Sequence, residues 1–94
     1  MELYQLKSFI TIAREKNLTR AAELLHLSQS ALSSQIKALE ESLGIQLFKR
    51  SSRGMQVSQH GQTMLRHAEE ILECAGRMSS EADLLSRGTG TSLT

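Results

Sequence analysis

Hydrophobic residues recur three and four apart from Leu3 almost to the end of the chain, and the phase of that repeat shifts at a few punctuation points. Leu3, Leu6, Phe9, Ile10 and Ala13 line one face of a first predicted helix, about residues 2–16, which Lys16-Asn17 closes. From Leu18 to Gly44 the spacing is that of two helices crossing at a tight turn. Ala22 is small enough for close approach, Leu25 and Leu27 flank the turn, and Leu32, Ile36 and Leu39 anchor the following helix. Thr19 is the expected N-cap of the second helix (19–25) and Ser28 that of the third (29–43), since a hydroxyl can accept an otherwise unpaired backbone N–H. His26 falls where such a turn asks for a positive φ, and Gly44 supplies the stop of the third helix.

Past Gly44 the period changes. LFKR and MQV are short β-type runs separated by Ser-Ser-Arg-Gly, which predicts a hairpin, a candidate wing. Phe48 reads as a core residue of the first strand. Helical character resumes from Ser58 to about Arg87, and Gly88 to Ser92 reads as a linker. Within the long helix, Met64, Ala68, Ile71, Ala75, Met78, Ala82 and Leu85 form a heptad seam, widened by Leu65 and Leu72. A seam of about 32 Å at 1.5 Å per residue is long for so small a domain to cover by itself. The reading preferred here is self-association, with packing back on the chain's own domain as the alternative.

Composition narrows the class. A chain of 94 residues has room for one small domain. Its net charge of +1 conceals an asymmetry: residues 1–58 carry eight Lys or Arg against five Glu, and residues 59–94 carry three Arg against five acids. The front part is therefore the plausible partner of a polyanion. No apolar run is long enough to span a bilayer, and Glu2, Lys7, Arg14, Glu15, Lys16 and Arg20 argue against a signal peptide, so no membrane partner is expected. A single cysteine leaves no internal disulfide, which fits a cytoplasmic location. That residue, Cys74, lies beside the seam and is expected to be a small buried hydrophobe. His60, His67 and Glu70 lack a fourth ligand for a tetrahedral metal site, and no nucleophile elbow, phosphate loop or dinucleotide fingerprint occurs, so neither metal, cofactor nor enzymatic activity is expected.

Taken together, LKSFITIA, LTRAAELLHLSQSALSSQIKALEESLGIQLFKR and SSRGMQVSQHGQ resemble the N-terminal winged helix-turn-helix of LysR-type transcriptional regulators, in order and without gaps over about residues 3–61. The resemblance implies a mainly α fold of three helices and a two-stranded wing (1–58), a linker helix that mediates dimerisation (59–87), and a hinge (88–94) toward an effector domain that binds a small-molecule co-inducer and is not in this sequence. It also implies double-stranded DNA as partner, a homodimer reading an interrupted inverted repeat, and a tetramer for the full-length protein. The expected dimerisation residues are those of the seam with Leu65 and Leu72.

With Leu32, Ile36, Leu39 and Leu43 facing the core, the opposite face of the third helix, centred on Ser30, Ser34 and Lys37 with Gln29 and Ser33 beside it, is free to enter a major groove. In similar proteins the residue matching Gln29 contacts a base, and an amide suits adenine because it can bond N6 and N7 together. Ser28, Ser33 and Ser34 can reach phosphate or a base edge. Thr19 and Arg20 would meet phosphate at the start of the second helix, and the family places the arginine matching Arg53, with Arg50 nearby, at the minor groove. Two positions depart from the family pattern. Ser30 stands where many members have proline, and Ser58-Gln59-His60 where Thr-x-Ala is common before the glycine matching Gly61. A winged helix can also serve as a protein-interaction scaffold, but its exposed face would then be apolar, and this one is polar and basic.

Overall fold

A computed structural model describes residues 1–88. The order is α1 (Leu3–Glu15), α2 (Leu18–Leu25), α3 (Gln29–Leu43), β1 (Phe48–Ser51), β2 (Gly54–Val57) and α4 (Gln59–Gly88). Gly88, expected to open the hinge, is the last residue of α4, and the remainder of the expected hinge lies outside the described residues.

Each boundary has a local cause. The Glu2 N–H donates to Gln5 Oε1 at 2.8 Å and opens α1. Lys16 ends it in the left-handed region (φ 56°), its N–H donating to the Ile12 carbonyl at 2.8 Å. That reversal leaves Asn17 extended, and its side-chain oxygen accepts the Arg20 N–H at 2.9 Å. The N-cap of α2 is therefore Asn17 and not Thr19, which sits inside the first turn; a short amide at the residue after the reversal reaches the free N–H first. His26 takes the positive φ the turn requires, 57°. The Ser28 hydroxyl caps α3 by accepting the Ala31 N–H at 3.1 Å, and Gly44, at φ 75°, closes the helix.

Phe9, Ile12, Leu32, Leu39 and Leu47 are fully buried, and the small Ala21 and Ala22 let α2 lie close on its neighbours. Phe48 joins this core from β1, its ring edge-on to Phe9 with centroids 5.4 Å apart. The strands are antiparallel, Phe48 opposite Val57 and Ser51 opposite Gly54, so Ser52 and Arg53 form the tip. Gly54 (φ 98°) is needed there, because a side chain would also meet the Lys16 carbonyl oxygen at 2.7 Å.

Ser58 joins wing to α4. Its hydroxyl accepts the Gly61 N–H at 2.9 Å and donates to the Gln46 carbonyl at 2.6 Å, while its own N–H donates to the Leu47 carbonyl at 2.8 Å. Gly61 packs so tightly that a Cβ would lie 2.2 Å from the Leu47 oxygen. From there α4 crosses α1, and the remainder projects away, which accounts for extents of 58 × 25 × 19 Å.

The seam is consequently divided. Ala68 is buried, and Met64, Leu65 and Leu72 pack against the chain's own core. Ile71, Met78, Ala82 and Leu85 are exposed, and Ala75 is half-buried. The intrachain packing that sequence periodicity left as the alternative thus accounts for the first part of the seam. Cys74 is exposed, contrary to expectation, because it lies on the side of α4 turned away from the face that carries Ala68, Leu72 and Ala75.

Candidate nucleic-acid interface

The rotation of α3 is set from below. Leu32, Ile36 and Leu39 are buried, and a hydrogen bond of 2.6 Å from the Ser8 hydroxyl on α1 to Gln35 Oε1 fixes the helix flank. The opposite face presents Gln29, Ser30, Ser34 and Lys37 to solvent, with Ser33 half-buried. Ser28 is committed to its cap and lies 3.3 Å from the Ser30 hydroxyl, so these two serines share one small polar cluster at the start of the helix.

Two adjoining concavities connect this face to the wing. One runs between α3 and β1 and is bordered by Ser33, Lys37, Lys49 and Arg50 over an apolar floor that includes Ile36 and Phe48. The other lies between the start of α3, the α1–α2 corner and the hairpin tip, and is bordered by Gln29, Arg50, Arg53 and Lys16. Arg50 borders both. The two concavities share Leu18, Arg50 and Met55, and the trough they form together is bordered by Gln29, Ser33, Lys37, Arg50 and Arg53. Thr19, Arg20, Ser28, Ser30 and Ser34 are exposed but border neither concavity.

Charge is arranged unevenly. Among the described residues the ion pairs take up Arg14, Arg20, His67, Arg77 and Arg87; Lys16, Lys37, Lys49, Arg50 and Arg53, which all border the trough, enter none of them, and neither do Lys7 and Arg66 away from it. Arg20 lies 3.9 Å from Glu15, so it would exchange that neighbour for a phosphate. Lys16 was legible in the sequence only as a helix stop. Its place on the trough follows from the left-handed corner that turns it toward the hairpin tip, a tertiary approach with no local signature. Lys49, beside Arg50 on the strand, is the other cation that the trough adds.

Residues 3–62 match the family model described as "Bacterial regulatory helix-turn-helix protein, lysR family". The chain is 42% identical over 88 residues to the HTH-type transcriptional regulator TcbR of Pseudomonas sp. (strain P51), a match covering 94% of this chain and 30% of TcbR, so it spans about a third of that relative's length. Among solved structures it is similar to the CbnR DBD–DNA complex, with a TM-score of 0.84 and 42% identity over 88% of this chain and 95% of that one. It is also similar to the BenM DBD/catB site 1 DNA complex, with a TM-score of 0.89 and 36% identity over 94% of this chain and 95% of the other.

Proposed function

This chain belongs to the lysR family of bacterial regulatory helix-turn-helix proteins, and from that premise we propose that it is the sequence-specific, double-stranded DNA-binding part of a transcription regulator. The observation that carries the reading is the trough: a polar helix face beside exposed cations that take part in none of the ion pairs among the described residues. The DNA complexes of CbnR and BenM domains with the same fold support it.

In this reading α3 enters a major groove, where Gln29 reads adenine through its amide and Ser33, Ser34 and Lys37 reach base edges or phosphates. The start of α2 offers backbone N–H groups with Thr19 and Arg20 to the phosphate strand. Arg50 and Arg53 follow the same strand to the minor groove, where a narrow A·T-rich stretch attracts guanidinium. Two copies joined along the exposed half of α4, through Ile71, Ala75, Met78 and Ala82, present two α3 helices to an interrupted inverted repeat. An antiparallel pair of α4 helices is the arrangement proposed.

The test is selection from random duplex DNA with this chain at low salt. Recovery of a two-part inverted repeat is the expected outcome, and enrichment of no sequence would sink the reading in favour of a protein-interaction scaffold.

A further inference from the structure

Resting on the DNA-binding reading, we propose that Glu40 is a positioning residue for the wing: its carboxylate, carried on the recognition helix, holds the strand whose next residues are Lys49 and Arg50. The residue is placed against local preference. It lies in the last turn of α3, where the aligned peptide dipoles disfavour an acid, and Glu41 follows it. The compensation is tertiary. Glu40 Oε2 accepts the Leu47 N–H at 2.7 Å and the Phe48 N–H at 3.4 Å. Leu47 is fully buried, so its N–H is a donor that folding takes from water and that needs a partner inside the protein.

Those two bonds run directly from the recognition helix to the wing. The other strand is held elsewhere: the Met55 N–H meets the Lys16 carbonyl oxygen at 3.4 Å, and Gly54 packs against the same atom. With β2 leaning on the end of α1 and β1 tied to α3, the hairpin is fixed from both sides. Among the hydrogen bonds of the described residues, those to Glu40 are the ones that refer the hairpin to the helix that reads bases. Phe48 is opposite Val57 and Ser51 opposite Gly54, so a shift at Phe48 is passed through the ladder to Arg53 at the tip. Glu40 also borders the trough with Lys37, Lys49 and Arg50, and a purely electrostatic role there is the competing account.

Two substitutions separate position from charge. Glu40→Gln removes the charge and keeps an acceptor oxygen at the same reach; Glu40→Asp keeps the charge and withdraws the oxygen by one methylene. The measurement is the effect of Arg53→Ala on affinity for the duplex recovered by selection, taken in the unmodified, Gln and Asp backgrounds, with thermal unfolding of each. The expected pattern is a loss of about tenfold on Arg53→Ala in the unmodified and Gln backgrounds and little further loss in the Asp background, where the wing no longer sits in register with α3. Thermal destabilisation by itself does not move that difference. Retention of the Arg53 effect in the Asp background, or its loss in both, overturns the proposal, the second outcome assigning Glu40 a charge role. Should the Asp variant fail to fold, Glu40→Ala, which has no acceptor, replaces it with the same expected and overturning results. An Arg53→Ala substitution without effect in the unmodified chain removes the wing from the interface altogether, and this proposal falls with it. That failure is seen in the parent background and is therefore distinct from failure of Glu40 alone.

Discussion

On the recognition side, Lys37, Lys49, Arg50 and Arg53 stand exposed outside every ion pair among the described residues, beside serines and an amide. Along the projecting half of α4, Arg77 is held by Glu73 at 2.9 Å and Arg87 by Asp83 at 2.7 Å, each one turn away, while Ile71 and Met78 are uncovered. The first region keeps its charge for something outside the chain; the second spends it locally and leaves apolar surface as its most distinctive feature. Cations that can release counterions suit a polyphosphate. Apolar residues beside arginines already paired on their own helix suit another protein surface.

That contrast breaks most visibly through assembly. Ala75→Glu puts a charge at a half-buried position between the exposed Ile71 and Met78 and is expected to yield a folded monomer by sedimentation. Its affinity for a full two-part site should then fall by roughly 10²–10⁴-fold, since each half-site binds without the effective concentration supplied by its neighbour. A dimer undisturbed by this change would move the interface off α4.

On the recognition face the largest single loss is expected from Gln29→Ala, about 1–3 kcal/mol on the preferred duplex, with choice relaxed at one base pair of each half-site. Comparing the substitution across all four bases at each position checks it; a uniform loss would make Gln29 a backbone contact. Arg53→Ala is expected to behave otherwise, weakening all sequences and lowering the slope of log affinity against log salt by about one for each subunit. A salt titration of both variants therefore sorts reading from charge.

The smallest effect sharpens the comparison from the other side. Arg77→Ala removes a cation of the same type, but one already paired on an exposed helix face, and the expected cost is about 0.3–0.5 kcal/mol of stability with no change in the salt slope. A slope that fell as it does for Arg53 would show that pairing with Glu73 does not withhold Arg77 from DNA.

Where elements begin and end was largely legible, because caps and left-handed turns are local chemistry: Ser28, His26 and Gly44 all do what their residue types predict. The exception, Asn17 in place of Thr19, arose because Lys16 adopts a left-handed conformation that a lysine does not advertise. Periodicity identified which positions of α4 are apolar, yet it carries no information about which surface covers them. The division between Met64, Leu65, Ala68 and Leu72 on one side and Ile71, Met78 and Ala82 on the other depends on which side of α4 faces α1 and on how far along the helix that contact runs. Cys74 was misjudged for the same reason. At the trough, the polar face of α3 followed from its buried stripe, whereas Lys16 enters through a contact between the α1–α2 corner and the hairpin tip, segments far apart in sequence.

The joint at Ser58 has a mechanical consequence. With its hydroxyl bonded on both sides and Gly61 seated against Leu47, the wing and the root of α4 turn as one piece. The part of α4 beyond Leu72 forms an arm of about 24 Å at 1.5 Å per residue, so a tilt of about 5° where it leaves the core swings the far end by about 2 Å. Read in reverse, a displacement of that size imposed on the far end is delivered to the wing and α3 as a rotation of only a few degrees. An arm of this kind gears coarse movement at a distance down to the fine adjustment on which groove fit depends.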